Sequence, residues 1–230
     1  KALLDVGDEK VIYHCYNAAK NSKVLDQIIV ATTTEKEDDE LVEYLKYKKI
    51  KYFRGEKDNV YSRFYKIIQV YEPQFIARLT GDNPLIDSDV IAKVVKTHIE
   101  NDSEYTSNTI LRTWPRGNDI ECVSSNLMKS LNKKNLSLDE LEHVTLYIKK
   151  NLYKYKHNSV ENDTRLIFPQ LRLTLDYIED YKLIRKLYNL LQTKKLEINA
   201  YNIDSLVVEN PSLMNINKNR HQNKIDGVQW

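Results

Sequence analysis

Apolar positions in the first hundred residues recur with two alternating periods. Val11, Cys15, Ala18 and Ala19 follow helical spacing across 8–22, and Asp8 is placed to cap that helix. The stretch 27–34 (Q-I-I-V-A-T-T-T) is short, β-branched and largely apolar, which predicts a buried strand. Leu41, Val42 and Leu45 then share one helical face over 37–48. Lys51-Tyr52-Phe53 predicts a short strand ending at Arg54-Gly55, and Asp58 or Asn59 caps a helix carrying Val60, Phe64, Ile67 and Ile68. A strand over 75–80 is stopped by Gly81-Asp82-Asn83-Pro84, and 88–100 is helical again. Repeated strand–helix units of this size predict an α/β fold with a mostly parallel sheet and helices on both faces. Right-handed crossovers bring the strand C-termini to one rim, where ligands bind.

The rhythm changes after residue 103. A strand over 105–110, a turn at Pro115-Arg116-Gly117-Asn118 and a paired strand over 119–123 predict a small β-hairpin. Helices over 125–132 and 138–152 follow, then a strand over 171–175 ended by Asp176 and an amphipathic helix over 178–193. From 210 the chain is rich in Asn, Lys and Gln, which predicts loose order. With no repeat or linker, the 230 residues read as a single domain in which 105–150 forms an insertion.

Composition narrows the function classes. The chain holds 35 basic and 33 acidic residues, interspersed, for a net charge of +2, which does not describe a nucleic-acid binder. The two cysteines, Cys15 and Cys122, stand in no C-x-x-C or metal spacing, so a reducing cytoplasm fits better than a disulfide scaffold. No stretch reaches the roughly 18–20 apolar residues of a membrane span.

Four features carry candidate chemistry. Gly81 lets the chain turn off its strand, so that Asp82 projects at the rim where a carboxylate can hold Mg²⁺ against phosphates; the plainer reading is a turn whose Asp caps the next helix. Asp176, ahead of Glu179-Asp180, ends a second strand and could complete a cation site or simply cap the 178–193 helix. Arg54, Arg63 and Arg78 near strand ends suit phosphate or carboxylate, or surface ion pairs. Glu142-His143 opens a helical stretch, with a structural or a ligand-facing histidine both open.

Taken in order, these segments resemble a family. V-A-T-T-T at 30–34 with Asp38-Asp39, F-R-G at 53–55 with Asp58-Asn59-Val60 and Arg63, and R-L-T-G-D-N-P-L-I-D at 78–87 are similar to the cytidylyltransferase superfamily. That superfamily includes the CMP-KDO and CMP-acylneuraminate synthetases. Ser107-Asn108-Thr109, P-R-G-N-D-I-E at 115–121, E-H-V-T at 142–145 and L-T-L-D at 173–176 continue the resemblance, which is greatest toward the spore-coat-polysaccharide subgroup.

The resemblance implies a Rossmann-like, three-layer αβα nucleotidyltransferase fold. It also implies transfer of CMP from CTP to a sugar, a sugar acid in the KDO and sialic-acid relatives, with release of pyrophosphate. Asp82 and Asp176 match the Mg²⁺ ligands, although Tyr177-Ile178-Glu179-Asp180 replaces the family's T-P-E-D turn. Lys1, Thr32, Asp58, Arg63 and Arg78 would line the nucleotide pocket, and His143, Glu121 and Asp119 the acceptor sugar. The hairpin-like segment 108–123 implies a homodimer. Lys1 matches the last residue of the family's R-L-P-G-K loop, whose amides and cations cradle the triphosphate. The resemblance therefore implies a strand and loop of about twenty residues ahead of Lys1, or a relative defective in that loop. Two other readings stand beside it: an NDP-sugar-dependent glycosyltransferase of similar architecture, and a catalytically silent homologue serving as a binding subunit.

Overall fold

The computed structural model describes residues 1–163 and 166–220. The chain opens with a tight hairpin of β1 (Asp5–Val6) and β2 (Glu9–Lys10), paired antiparallel, and runs directly into α1 (Val11–Asn21). Asp8 lies in the hairpin turn and the residue before α1 is Lys10, so the expected Asp8 cap does not form. The hairpin's own ladder takes up the backbone groups at this point and starts the helix three residues later than the apolar spacing suggests.

β3 (Val30–Thr33) and β4 (Tyr52–Gly55) pair in parallel, with Val30 opposite Tyr52, and α2 (Asp39–Tyr47) connects them. Residues 27–29 precede the ladder, so this strand is shorter than its apolar run. α3 (Val60–Tyr71) follows, capped by Asn59, whose side chain accepts from the Ser62 amide. β5 (Phe75–Arg78), α4 (Ser88–Glu100), β6 (Tyr105–Ser107), β7 (Glu121–Ser124), α5 (Ser125–Leu131), α6 (Leu138–Glu142), α7 (Leu146–Lys150) and β8 (His157–Ser159) come next. They build a four-stranded sheet in the order β5-β7-β6-β8. β7 is antiparallel to both β5 and β6, and β6 is parallel to β8. The 105–150 region thus supplies both inner strands of this sheet.

Strand alternation explains the layers. On β5, Phe75 and Ala77 face one cluster with Val90, Ile91, Val94 and Val95 of α4, whereas Ile76 faces another with Tyr61 and Ile68 of α3. On β7, Cys122 joins the first cluster and Val123 the second. Helices therefore cover both faces, as the α/β reading requires. α8 (Ile178–Thr193) and α9 (Ala200–Glu209) close a further core through Leu183, Ile184, Leu187, Ile203 and Leu206.

Three further expectations need correction. The single helix over 138–152 is two, α6 and α7, broken where Val144 adopts φ +38°. The 171–175 segment is extended but, among the described residues, makes only one bridge, Arg116 to Arg172, and one flanking bond, from the Leu175 amide to the Asp82 carbonyl. The tail is ordered at least to residue 220: Pro211–Asn215 is a 3₁₀ turn that buries Leu213. The part of the tail over 221–230 lies outside the described residues.

Candidate active site

Asp82 follows β5 by four residues, in the turn that Gly81 begins. Asn83 steadies that turn by donating from Nδ2 to Thr80 Oγ1 at 2.7 Å. The Leu175 amide donates to the Asp82 carbonyl at 2.9 Å, which carries the next residue, Asp176, to the same rim. Lys1 lies between the two carboxylates, with Nζ 2.7 Å from Asp176 Oδ1 and 3.7 Å from Asp82 Oδ2. Burial opposes the Lys1 charge, but the hydrogen bond and attraction from Asp176, with Asp82 beside it, raise its pKa. Asp176 is shifted down: burial works against the carboxylate, and Lys1 and Arg172 outweigh it.

Asp176 is fixed from behind. Arg172 Nη2 donates to Asp176 Oδ2 at 2.5 Å and its Nε donates to Asp180 Oδ1 at 3.2 Å. The wholly buried Asp180 also accepts from the Asp176 and Tyr177 amides and from Asn217 Nδ2. The sequence offers Asp180 only as an acid following Asp176, and it gives no signal for Arg172 or Asn217. The alternative in which Asp176 caps the 178–193 helix does not hold, since the N-cap is Tyr177.

The chemistry of this pair suits a divalent cation. Asp82 Oδ1 is buried without a hydrogen-bond partner, and one oxygen of each carboxylate, Asp82 Oδ2 and Asp176 Oδ1, already faces the same ammonium, while Asp176 Oδ2 is held by Arg172. Among the described residues no cluster of three or more His, Cys, Asp or Glu could hold a metal. A two-carboxylate site is the magnesium type, completed by substrate phosphates and water.

Other expected residues gather in two separate groups. At the end of β3, Asp38 accepts from Thr32 Oγ1 at 2.6 Å and from the Thr33 amide at 2.9 Å. Burial pushes the Asp38 pKa up, but these donors win and lower it. Arg63 is buried beneath Gly55, where a Cβ would stand 2.6 Å from Arg63 Cγ. Its Nε has no partner and its Nη1 reaches only the Ala31 carbonyl, at 3.5 Å. Burial lowers its pKa, with Asp38 as the opposing charge. Asp58 is exposed just ahead of α3.

Glu121 anchors the other group. Its Oε2 meets Arg78 Nη1 at 2.6 Å, and its Oε1 takes Tyr105 Oη, Thr145 Oγ1 and Lys149 Nζ at 2.7–2.8 Å. Burial disfavours the charge, yet Lys149 and Arg78 drive the pKa far below the usual carboxylate range. With its side chain 3% exposed and both oxygens engaged, Glu121 holds the E-H-V-T corner rather than offering a face to an acceptor. Asp119 is likewise engaged, by Arg112 through bonds of 2.6 and 3.0 Å. His143 ends α6 at that corner, its carbonyl accepting from Thr145 and Leu146.

The cytidylyltransferase sequence profile matches residues 1–210. The chain is 31% identical over 210 residues to the spore coat polysaccharide biosynthesis protein SpsF of Bacillus subtilis, covering 91% of this chain and 84% of that one. It is 34% identical over 224 residues to an uncharacterized protein of Methanocaldococcus jannaschii, covering 96% and 89%. A solved cytidylyltransferase from Leptospira borgpetersenii superposes with a TM-score of 0.85 at 29% identity, covering 97% and 92%. The rim carboxylates, the matched profile and the shared fold agree: this chain belongs to the cytidylyltransferase family.

Proposed function

We propose that the protein transfers CMP from CTP to a sugar, of the sugar-acid class, for a surface polysaccharide or glycan, releasing pyrophosphate. The carrying observation is the convergence of Asp82 and Asp176 on the single ammonium of Lys1 at the sheet rim. Membership in the cytidylyltransferase family supports CTP as donor, and the Bacillus relative's name supports polysaccharide synthesis.

On this reading Asp82 and Asp176 hold Mg²⁺, which when bound offsets negative charge on the nucleotide phosphates. The remaining work is positioning and electrostatics. Lys1 turns its ammonium from the carboxylates toward phosphate oxygens once the nucleotide enters. Thr32 and Arg63 line the nucleotide side, with Arg63's unpartnered Nε available as a donor. Glu121 holds Arg78 on the nucleotide side and the E-H-V-T corner bearing His143 beside the acceptor. The acceptor oxygen attacks the α-phosphorus in line; its proton leaves to solvent or a nearby base, and the bond to the β-phosphate oxygen breaks. The 108–123 segment, with Leu111 exposed, would contribute to a homodimer. No helix among the described residues is long and apolar enough to cross a membrane; we read the enzyme as working in the cytoplasm.

The test is to incubate full-length protein and Mg²⁺ with CTP, ATP, GTP or UTP and a panel of sugar acids. Pyrophosphate release and the mass of the product are then followed. CTP should be consumed in preference and a CMP-sugar formed. Preference for another nucleotide, or consumption of an NDP-sugar without pyrophosphate, would overturn the assignment.

A further inference from the structure

Arg116 stands on a turn that is pinned to the segment leading into Asp176. Its amide donates to the Leu171 carbonyl at 3.1 Å and its carbonyl accepts from the Leu173 amide at 2.8 Å, so Arg116 lies directly opposite Arg172. The approach is close because the next residue is glycine. Gly117 adopts φ +103°, and a Cβ there would stand 2.8 Å from the Leu173 carbonyl carbon. Residues opposite one another in a bridge project to the same side. Arg172 projects to Asp176 and Asp180, so Arg116 projects toward that same side.

The charges of its neighbours are already spent. Arg112 grips Asp119 with two bonds, and Arg172 is committed to Asp176 and Asp180. The half-buried Arg116 side chain makes neither a hydrogen bond nor an ion pair among the described residues. Burial, and then the positive charge of Arg112, lower its pKa, with Arg172 adding to the repulsion and Asp119 opposing it. A rigidly mounted fork of five donors, crowded by like charges, is matched by a carboxylate or a phosphate that accepts two parallel bonds.

We propose that Arg116 receives an anionic group of the substrate beside Asp176, either the carboxylate of a sugar-acid acceptor or a phosphate of the nucleotide. It is a binding residue that selects for charge, and it rests on the cytidylyltransferase reading of the site. In full-length protein, phenylglyoxal labelling of Arg116, read by peptide mass spectrometry, should slow at least about fivefold when the anion is bound. Pyrophosphate, CTP with Mg²⁺, and 3-deoxy-manno-octulosonate with its neutral alditol counterpart are the probes. Protection by pyrophosphate and CTP assigns the phosphate source; protection by the sugar acid and not by its neutral counterpart assigns the carboxylate. Arg116→Met should then weaken the protecting probe at least about tenfold, with Arg116→Lys intermediate because it keeps the charge and loses the fork. CTP binding by calorimetry with Arg116 labelled at the same rate under every probe would overturn the role of Arg116 alone. Failure of CTP to bind at all would overturn the reading of the site beneath it.

Discussion

Replacing Glu121 by Gln should be among the most damaging single substitutions in the sheet. The carboxylate is enclosed, with its side chain 3% exposed, and it compensates two cations, Lys149 at 9% and Arg78 at 20% side-chain exposure. The amide keeps one acceptor for Tyr105 or Thr145, but its NH₂ confronts the donors on the other side. Removing one partner of a buried ion pair costs about 3–5 kcal/mol, because the surviving charge stays desolvated. At roughly 2–4 °C per kcal/mol for a chain of this size, the melting temperature should fall by roughly 6–20 °C. The effect has a pH signature. The folded pKa of Glu121 lies below its unfolded value of about 4.3, so its contribution is fully present above that pH and is lost as pH falls below it. Calorimetric melting at pH 7 and across pH 5 to 3 should therefore show a lower melting temperature at neutral pH and a shallower acid limb in Glu121→Gln. A variant melting within about 2 °C of the parent, with the same acid limb, would refute the buried-hub account.

Three further expectations can be checked alongside it. Asp82→Asn removes a carboxylate whose Oδ1 has no partner and whose Oδ2 is 3.7 Å from Lys1, so steady-state CTP turnover should fall at least about 100-fold while the melting temperature moves little. Gly117→Ala forces a Cβ against the Leu173 backbone at φ +103°; it should cost at least about 1–3 kcal/mol by urea denaturation, and an unchanged midpoint would show that the turn can relax. The buried His98 has its pKa pushed down to about 4 by burial, so the unfolded chain protonates first; stability should decline from about pH 6.5 toward 4, and His98→Gln should remove that slope.

The first half of the fold was legible because its strands and helices carry their own periodicity. Ile76 and Ala77 point to opposite faces of β5 as alternation demands, and Val90, Ile91, Val94 and Val95 share one side of α4. Elements made by tertiary contact were not legible. β8, His-Asn-Ser, has no apolar pattern and exists because its backbone pairs with β6. The break at Val144 carries no Gly or Pro signal; a β-branched residue is held at positive φ where Val144 itself is buried and Thr145 bonds Glu121. α9 does carry a sequence signal: Asn199 caps it, and Ala200, Ile203, Leu206 and Val207 follow helical spacing. At the site, Asp82 could be placed by its strand and glycine. The roles of Glu121 and Asp119 could not, because sequence shows a carboxylate's presence and not the cations that already hold it.

The two rim carboxylates reach the same place by different means, and this bears on which one the rest of the chain can move. Asp82 is set by short-range order: the end of β5, the Gly81 turn and the Asn83–Thr80 bond all lie within a few residues. Asp176 is set by long-range closure. Its partner Arg172 is itself bridged to Arg116, Asp180 holds its amide, and Asn217 joins Asp180 Oδ1 to the Arg172 carbonyl from 37 and 45 residues away. Arg220 extends that closure by pairing with Glu179 and lying 4.9 Å from the Tyr177 ring centroid. A local turn opens only when its own strand end frays, whereas a closure of this kind weakens whenever any contributing segment detaches. The separation between the two carboxylates, and with it affinity for a shared cation, is therefore governed chiefly from the Asp176 side. The 211–220 segment, which composition alone reads as loose tail, is part of what holds it.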